Sequence, residues 1–185
     1  MQSYDSNVCC IFMKKRRGFT LIELMVTLVV GGILLTVAVP SFLSQMTGSQ
    51  ISTQANLFMA AIANARSEAI KLNQVVTICE RNTAGTGCND NGGWEDGWII
   101  FTDAGALGVV NAPDDEVLQT FDPMPDNYTM AGDLGGSISF LPSGELSSNS
   151  GSFVICHTNG DANNAYTIYL NSAGRPRKAK DVTSC

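Results

Sequence analysis

What most constrains this chain is a run from Phe19 to Phe42 that is apolar almost throughout and carries one acid, Glu23. About 24 residues rise roughly 36 Å as a helix, enough to cross the hydrocarbon core of a bilayer. Lys14, Lys15, Arg16 and Arg17 stand directly before Gly18. Their charge keeps that end on the cytoplasmic side, so the chain beyond Pro40 is expected to face outward. A lone carboxylate near the end of a membrane-length run is costly in lipid, which makes Glu23 a functional candidate. A cleaved secretory signal reads differently: small residues follow its apolar core, and no acid sits inside it.

The residues Arg17-Gly18-Phe19-Thr20-Leu21-Ile22-Glu23-Leu24-Met25-Val26 resemble the class III signal of type IV pilins and type II secretion pseudopilins. The resemblance implies that a membrane prepilin peptidase cuts between Gly18 and Phe19 and that the new amine of Phe19 is N-methylated. It also implies that Glu23, fifth in the mature chain, pairs with the N-terminal amine of a neighbouring subunit during filament assembly. A carboxylate without a partner in lipid seeks such a cation; the plainer alternative is an acid snorkelling to the interface. Residues 1–18 are then a leader. Met13 stands just before the basic cluster and is expected to be the true start, with residues 1–12, including Cys9 and Cys10, an upstream extension.

Net charge is −6 over the 185 residues. The leader holds four of the eleven basic residues and one of the seventeen acids, leaving seven against sixteen, a net of −9. Such an acidic chain is a poor nucleic-acid binder unless its few cations are gathered. Past the apolar helix about 139 residues remain for a folded head, enough to bury a core without metals. Four cysteines fall on the outward side, Cys79, Cys88, Cys156 and Cys185, and allow three disulfide connectivities. Cys79–Cys88 across a Gly/Asn-rich loop and Cys156–Cys185 at the terminus are the favoured pairs. Zinc is the alternative, but there is no CxxC pair and the single histidine, His157, adjoins Cys156.

Residues 19–42 read as the membrane half of one helix and residues 43–73 as its amphipathic half. Ile51, Ala55, Phe58, Ile62, Ala65, Ala69 and Leu72 recur at three- and four-residue steps and share one face. Pro40 is expected to kink or loosen the helix, and Gly31 and Gly32 suit close helix packing. From residue 74 the period changes to two. Strands are expected at 75–79, 97–103, 117–121, 137–140, 152–156 and 166–170, with Pro123 and Pro125 as breaks. Short consecutive strands with tight turns predict an α+β fold, antiparallel sheets packed on the amphipathic helix. Residues 74–185 form the β-rich head.

Four further pieces stand in order: Arg66 with Glu68 on the helix, Trp94 followed by Gly97-Trp98-Ile99-Ile100-Phe101-Thr102-Asp103, Phe140-Leu141-Pro142-Ser143-Gly144, and Gly174-Arg175. With the leader they resemble the FimT/GspH family of minor pilins. The resemblance implies a type IV pilin-like fold, an N-terminal helix packed on two antiparallel β-sheets.

The strongest functional candidate is Gly174-Arg175-Pro176-Arg177-Lys178-Ala179-Lys180, which holds four of the seven mature cations. Pro176 keeps the segment extended. Arginine forks suit phosphate oxygens, and an extended segment reaches successive phosphates. The family resemblance sharpens this, because FimT-like members carry a Gly-Arg-x-Arg element that binds DNA in natural transformation. The alternative is a solvated basic tail, or cations that meet an acidic patch on another pilin. Arg66 and Lys71 are expected to be paired with Glu68 or solvated, and Arg81 is a lesser candidate for the basic surface.

Asp114, Asp115, Glu116, Asp122, Asp126 and Asp133 admit a calcium reading, with a solvated acidic loop as the alternative. Asp103 reads as a turn former. The Gly85–Gly93 stretch lacks the lysine and strand–helix context of a phosphate loop. No catalytic constellation assembles and no cofactor is implied, so the chain reads as a non-enzyme. Together these features read as a minor type IV pilin that begins in the inner membrane, head outward, joins a pilus with other pilins, and binds DNA non-specifically. Arg175, Arg177, Lys178, Lys180 and Gly174 form its binding site. A FimU-like pilin that primes assembly and a GspH-like pseudopilin of type II secretion are the alternatives.

Overall fold

The computed structural model describes residues 18–89 and 93–185; residues 1–17 of the leader, with Met13, Cys9 and Cys10, lie outside the described residues. The chain divides into two compact units that meet between Ser41 and Phe42. A single helix, α1 (Leu21–Leu72), contributes to both, and its helical assignment runs unbroken through Pro40.

In the first unit α1 opens on a side-chain cap that the sequence reading overlooked. Thr20 Oγ1 accepts from the backbone N–H of Glu23 at 3.2 Å, satisfying one of the orphan donors of the first turn. Glu23 itself stands in that turn, where the helix dipole favours an acid. Leu21–Val39 has a mean hydropathy of 2.4 and none of it is buried, so it is long and apolar enough to cross a membrane. A helix apolar on every side needs lipid or neighbouring helices around it.

In the second unit the later turns of α1 lay a stripe against a β-rich head. Ile51, Ala55, Phe58, Ile62, Ala65 and Ala69 are fully buried, as their spacing predicts, and Ala61 joins them. Leu72 is exposed instead, because the helix ends there and Asn73 turns the chain away at a φ of 54°. Eight strands follow: β1 (Val76–Glu80), β2 (Trp98–Thr102), β3 (Val117–Thr120), β4 (Tyr128–Gly132), β5 (Ser137–Phe140), β6 (Gly151–His157), β7 (Tyr166–Leu170) and β8 (Pro176–Ala179). They form two four-stranded antiparallel sheets, ordered β3-β2-β1-β5 and β4-β6-β7-β8.

Six strands fall where the period of two places them. The other two, β4 and β8, went unread. Tyr128 and Met130 of β4 point into the core while Thr129 and Ala131 point out, a proper alternation that the prolines before it obscure. The core lies between the helix stripe and the inner faces of both sheets. Phe58 sits at its centre, edge-on to Trp94, Trp98 and Phe153 with ring centroids 4.9–5.3 Å away. Strands β1 and β2 are buried along their whole length, because Cys79, Ile99 and Phe101 build a second small core on the outer side. The Cys79–Cys88 disulfide belongs to that cover.

Two outcomes follow from this packing. Phe58→Ala removes the ring on which three others converge and is expected to destabilise the head by about 3–5 kcal/mol, measured by denaturant unfolding. Glu80, at the end of β1, is 9 % exposed, and its carboxyl is held above the ordinary 4.5 by burial first and then by the charges of Glu95 and Asp96. The folded state therefore binds this proton more tightly than the unfolded chain. The stabilising contribution is full below about pH 4.5 and is lost as pH rises through the folded-state value. Glu80→Gln is expected to raise the melting temperature at pH 7.5, with the gain vanishing by pH 4.

Candidate nucleic-acid interface

The basic segment is the second arm of a hairpin. β8 pairs with β7 in the register Leu170↔Pro176, Tyr169↔Arg177, Ile168↔Lys178 and Thr167↔Ala179. It is an edge strand, and its first residue is Pro176, a place where a missing N–H does no harm. Asn171 forms the connecting turn, accepting from Gly174 N at its carbonyl (2.8 Å) and from Arg175 N at its side chain (2.9 Å). Gly174 has a φ of +71°, and a Cβ there would lie 2.6 Å from the Gly144 carbonyl oxygen. Its requirement is thus met by turn and packing, before any ligand is considered.

Arg66 holds that packing together. Its Nε donates to the carbonyls of Gly144 (2.8 Å) and Ala173 (3.2 Å), joining the helix to the turns after β5 and β7. Lys71, by contrast, is paired with Glu68 at 3.2 Å.

Strand alternation then splits the four cations. Residues paired across a ladder share a face. Lys178 pairs with buried Ile168 and so turns toward α1, where its Nζ donates to Ser52 Oγ (3.0 Å) and Asn56 Oδ1 (2.7 Å) and lies over the Tyr166 ring. Arg177 pairs with Tyr169 on the outer face, its guanidinium 4.7 Å from the ring centre. Arg175, Arg177 and Lys180 are exposed and Lys178 is half-buried. Three of the four cations thus face outward, with Lys180 beyond the end of β8 and near Asp161, and the fourth is committed to the helix.

Acids stand close to this group. Asp181 Oδ2 accepts from the Tyr169 hydroxyl at 2.8 Å. Its carboxyl is lowered by that bond first, then by Thr167, with the Arg177 charge a lesser cause, and the Tyr169 hydroxyl is raised in return. Asp161 is lowered chiefly by the Asn163 backbone N–H and slightly by the charge of Lys180. Beyond Asp181 the chain ends at Cys185, bonded to Cys156 of β6, so the basic strand is tied at both ends.

The remaining candidates are otherwise engaged. Arg81 reaches Asp122 at 3.3 Å and the Phe121 carbonyl at 3.2 Å. Asp115 accepts from the N–H groups of Ala104 and Asn111, both at 2.7 Å, and so shapes its own loop. Asp103, nearly buried, accepts from Gly108 N at 2.8 Å and from the Thr77 hydroxyl, which also meets Ser139. Among the described residues no three His, Cys, Asp or Glu side chains gather as a metal site. The sequence reading missed Tyr169 and Asp181 as neighbours of Arg177. The alternation of apolar Ile168 and Leu170 with Thr167 and Tyr169 was the available signal.

Two family models match this chain: "Type II transport protein GspH" over residues 54–174 and "Prokaryotic N-terminal methylation motif" over residues 13–39. No curated protein sequence matched. Among solved structures, the type IV minor pilin FimU of Pseudomonas aeruginosa is similar, with a TM-score of 0.55 and 21% identity over 71% of this chain and 89% of FimU. The minor pseudopilin EpsH of the Vibrio cholerae type 2 secretion system is also similar, with a TM-score of 0.46 and 12% identity over 70% of this chain and 96% of EpsH. FimU shares the fold, an N-terminal helix with antiparallel sheets. With the family match spanning more than half of its length, the chain belongs to the GspH family, whose minor pilins and pseudopilins work with other pilins in filament assembly.

Proposed function

We propose that this protein is a minor type IV pilin that captures extracellular DNA, without sequence preference, on the outer face and turn of the β7–β8 hairpin. The observation that carries the reading is the placement of Arg175 and Arg177. Arg177 stands on the edge strand and Arg175 at the turn that leads into it, two residues apart and both exposed. Two arginine forks in line, with exposed Lys180 just beyond, suit successive phosphates of one strand. Lys178 enters this reading as a positioning residue: its bonds to Ser52 and Asn56 fasten the strand to α1. Gly174 enters as the turn that aims Arg175.

The same proposal covers the N-terminus. Cleavage after Gly18 by a prepilin peptidase frees Phe19 for N-methylation, and Glu23 then meets the amine of a neighbouring subunit. The exposed apolar surface of Leu21–Val39 supports a start in the inner membrane, head outward, and later burial among pilins of a surface filament. DNA is held electrostatically while the filament that carries the head is withdrawn for uptake.

Detergent-solubilised full-length protein, titrated with duplex DNA at several salt concentrations, tests the reading. Two or three neutralised phosphates give a slope of log K against log salt of about −2 to −3, with affinity in the micromolar-to-submillimolar range. Arg175→Gln with Arg177→Gln is expected to abolish measurable binding with the fold intact. Absence of binding by the unaltered chain at low salt overturns the DNA reading and leaves a purely structural filament subunit. Asp181→Asn removes the carboxylate beside Arg177 and is expected to tighten DNA binding about two- to five-fold, the size of a surface charge effect.

A further inference from the structure

A cavity of about 570 Å³ in the head, with no residue of the basic hairpin among its described lining, is acidic. Glu80, Asn89, Gly93, Trp94, Glu95 and Gly136 are among its lining residues, and among the described residues no lysine or arginine lines it. Glu80 is the unusual member. It is more than nine-tenths buried, yet among the described residues its carboxylate accepts no hydrogen bond and faces no cation. Its charged neighbours are Glu95 and Asp96, of its own sign. Its carboxylate opens onto the cavity, and like charges that share one space favour a cation between them.

The walls leave room for an occupant. A Cβ on Gly93 would fall 2.5–2.7 Å from the Glu95 carboxylate, and one on Gly136 would sit 3.6 Å from Glu80 Oε2, over the carboxylate. Gly93 has an extended φ of −134°, and Gly136 is likewise outside the left-handed region, so neither glycine is demanded by the backbone. Both are small where the two carboxylates need space. Glu95 Oε2 accepts from Met130 N at 3.3 Å, which fixes one carboxylate in place. The floor is fixed too, since Trp94 Nε1 donates to the Gly135 carbonyl at 3.1 Å. On the rim, Asn89 N donates to the Glu80 carbonyl at 2.9 Å beside the Cys79–Cys88 disulfide.

We propose that this cavity is a binding site for an organic cation, an ammonium or guanidinium head group that enters between Glu80 and Glu95. A bare divalent ion is the rival occupant: among the described residues two carboxylates, Glu80 and Glu95, line the cavity, few for the six or more oxygen ligands that hard cations take. The volume is that of a small-molecule pocket. The head group has two sources with one chemistry: a lysine or arginine side chain of an adjoining subunit, or a free aliphatic amine. The inference stands independently of the DNA reading.

The test uses the full chain in detergent micelles at constant ionic strength, with the fluorescence of Trp94, a lining residue, as readout. Butylammonium and ethylguanidinium are expected to give a saturable change at millimolar concentration, and tetramethylammonium, which has no N–H, none. Glu80→Gln is expected to weaken binding at least tenfold, and Gly136→Val, which covers the carboxylate from outside, to do the same with Glu80 in place. Circular dichroism confirms that each variant is folded. A change that is not saturable, that persists in both variants, or that calcium produces while the organic cations do not, overturns the proposal. Short peptides bearing one lysine or arginine, set against putrescine, then separate the sources: tighter binding of the peptide points to a subunit, tighter binding of the diamine to a free amine.

Discussion

The head depends on one contact, the stripe of α1 from Ile51 to Ala69 against the inner faces of two sheets. No strand of one sheet pairs with a strand of the other, so the helix and the side chains it gathers are what join them. Phe58 shows how. It touches Trp98 of β2, Trp94 of the short turn before it, and Phe153 of β6, drawing both sheets onto one turn of helix. Edge-to-face pairs of this kind add about 0.5–1.5 kcal/mol each beyond the area they bury. The polar border of the same helix carries the second layer of control. Ser52 and Asn56, one turn apart, hold Lys178, and Arg66 holds the turns at Gly144 and Ala173. The hairpin that presents Arg175 and Arg177 is therefore positioned by residues on α1 that precede it by more than a hundred positions.

That dependence explains how much the sequence disclosed. The stripe, the membrane-length run, six strands and the α+β class were legible because each has a period or a length that water and lipid enforce. β8 was not. Arg175 to Lys180 reads as a charge cluster, yet pairing with β7 imposes a period of two that sends Lys178 inward and Arg177 outward. Nothing in a run of cations says which face will meet a helix. Gly174 is similar: its place beside Arg175 suggests a ligand motif, while the φ and the approach to Gly144 supply a folding reason for the same residue. β4 was hidden by Pro123 and Pro125, which end the preceding loop and do not enter the strand.

Glu80 belongs to a different class of omission. In sequence it follows a disulfide cysteine and precedes Arg81, and i, i+1 neighbours invite pairing. In a strand they point to opposite faces. Arg81 accordingly meets Asp122, while Glu80 faces the cavity among acids that lie fifteen or more positions downstream. The pairing of charges in this head is decided by strand parity more than by proximity along the chain.

The net charge of −9 for the processed chain does not by itself argue against a phosphate ligand. At physiological salt, charges farther than about 8 Å apart are largely screened, so a phosphate at Arg177 responds chiefly to the charges nearest it, Asp181 and Asp133 among them. What the acidic balance does set is the baseline. Away from the hairpin the head repels polyanions, which confines contact to the edge strand and its turn and orients the encounter. On the proposed reading, an acidic body with a small cationic edge makes a directional binder of weak affinity, for which direction matters more than strength. A filament that must both hold a polyanion and release it gains from contacts whose free energy is a few phosphate pairs, because those are the contacts that a change of salt or a pull along the strand can undo.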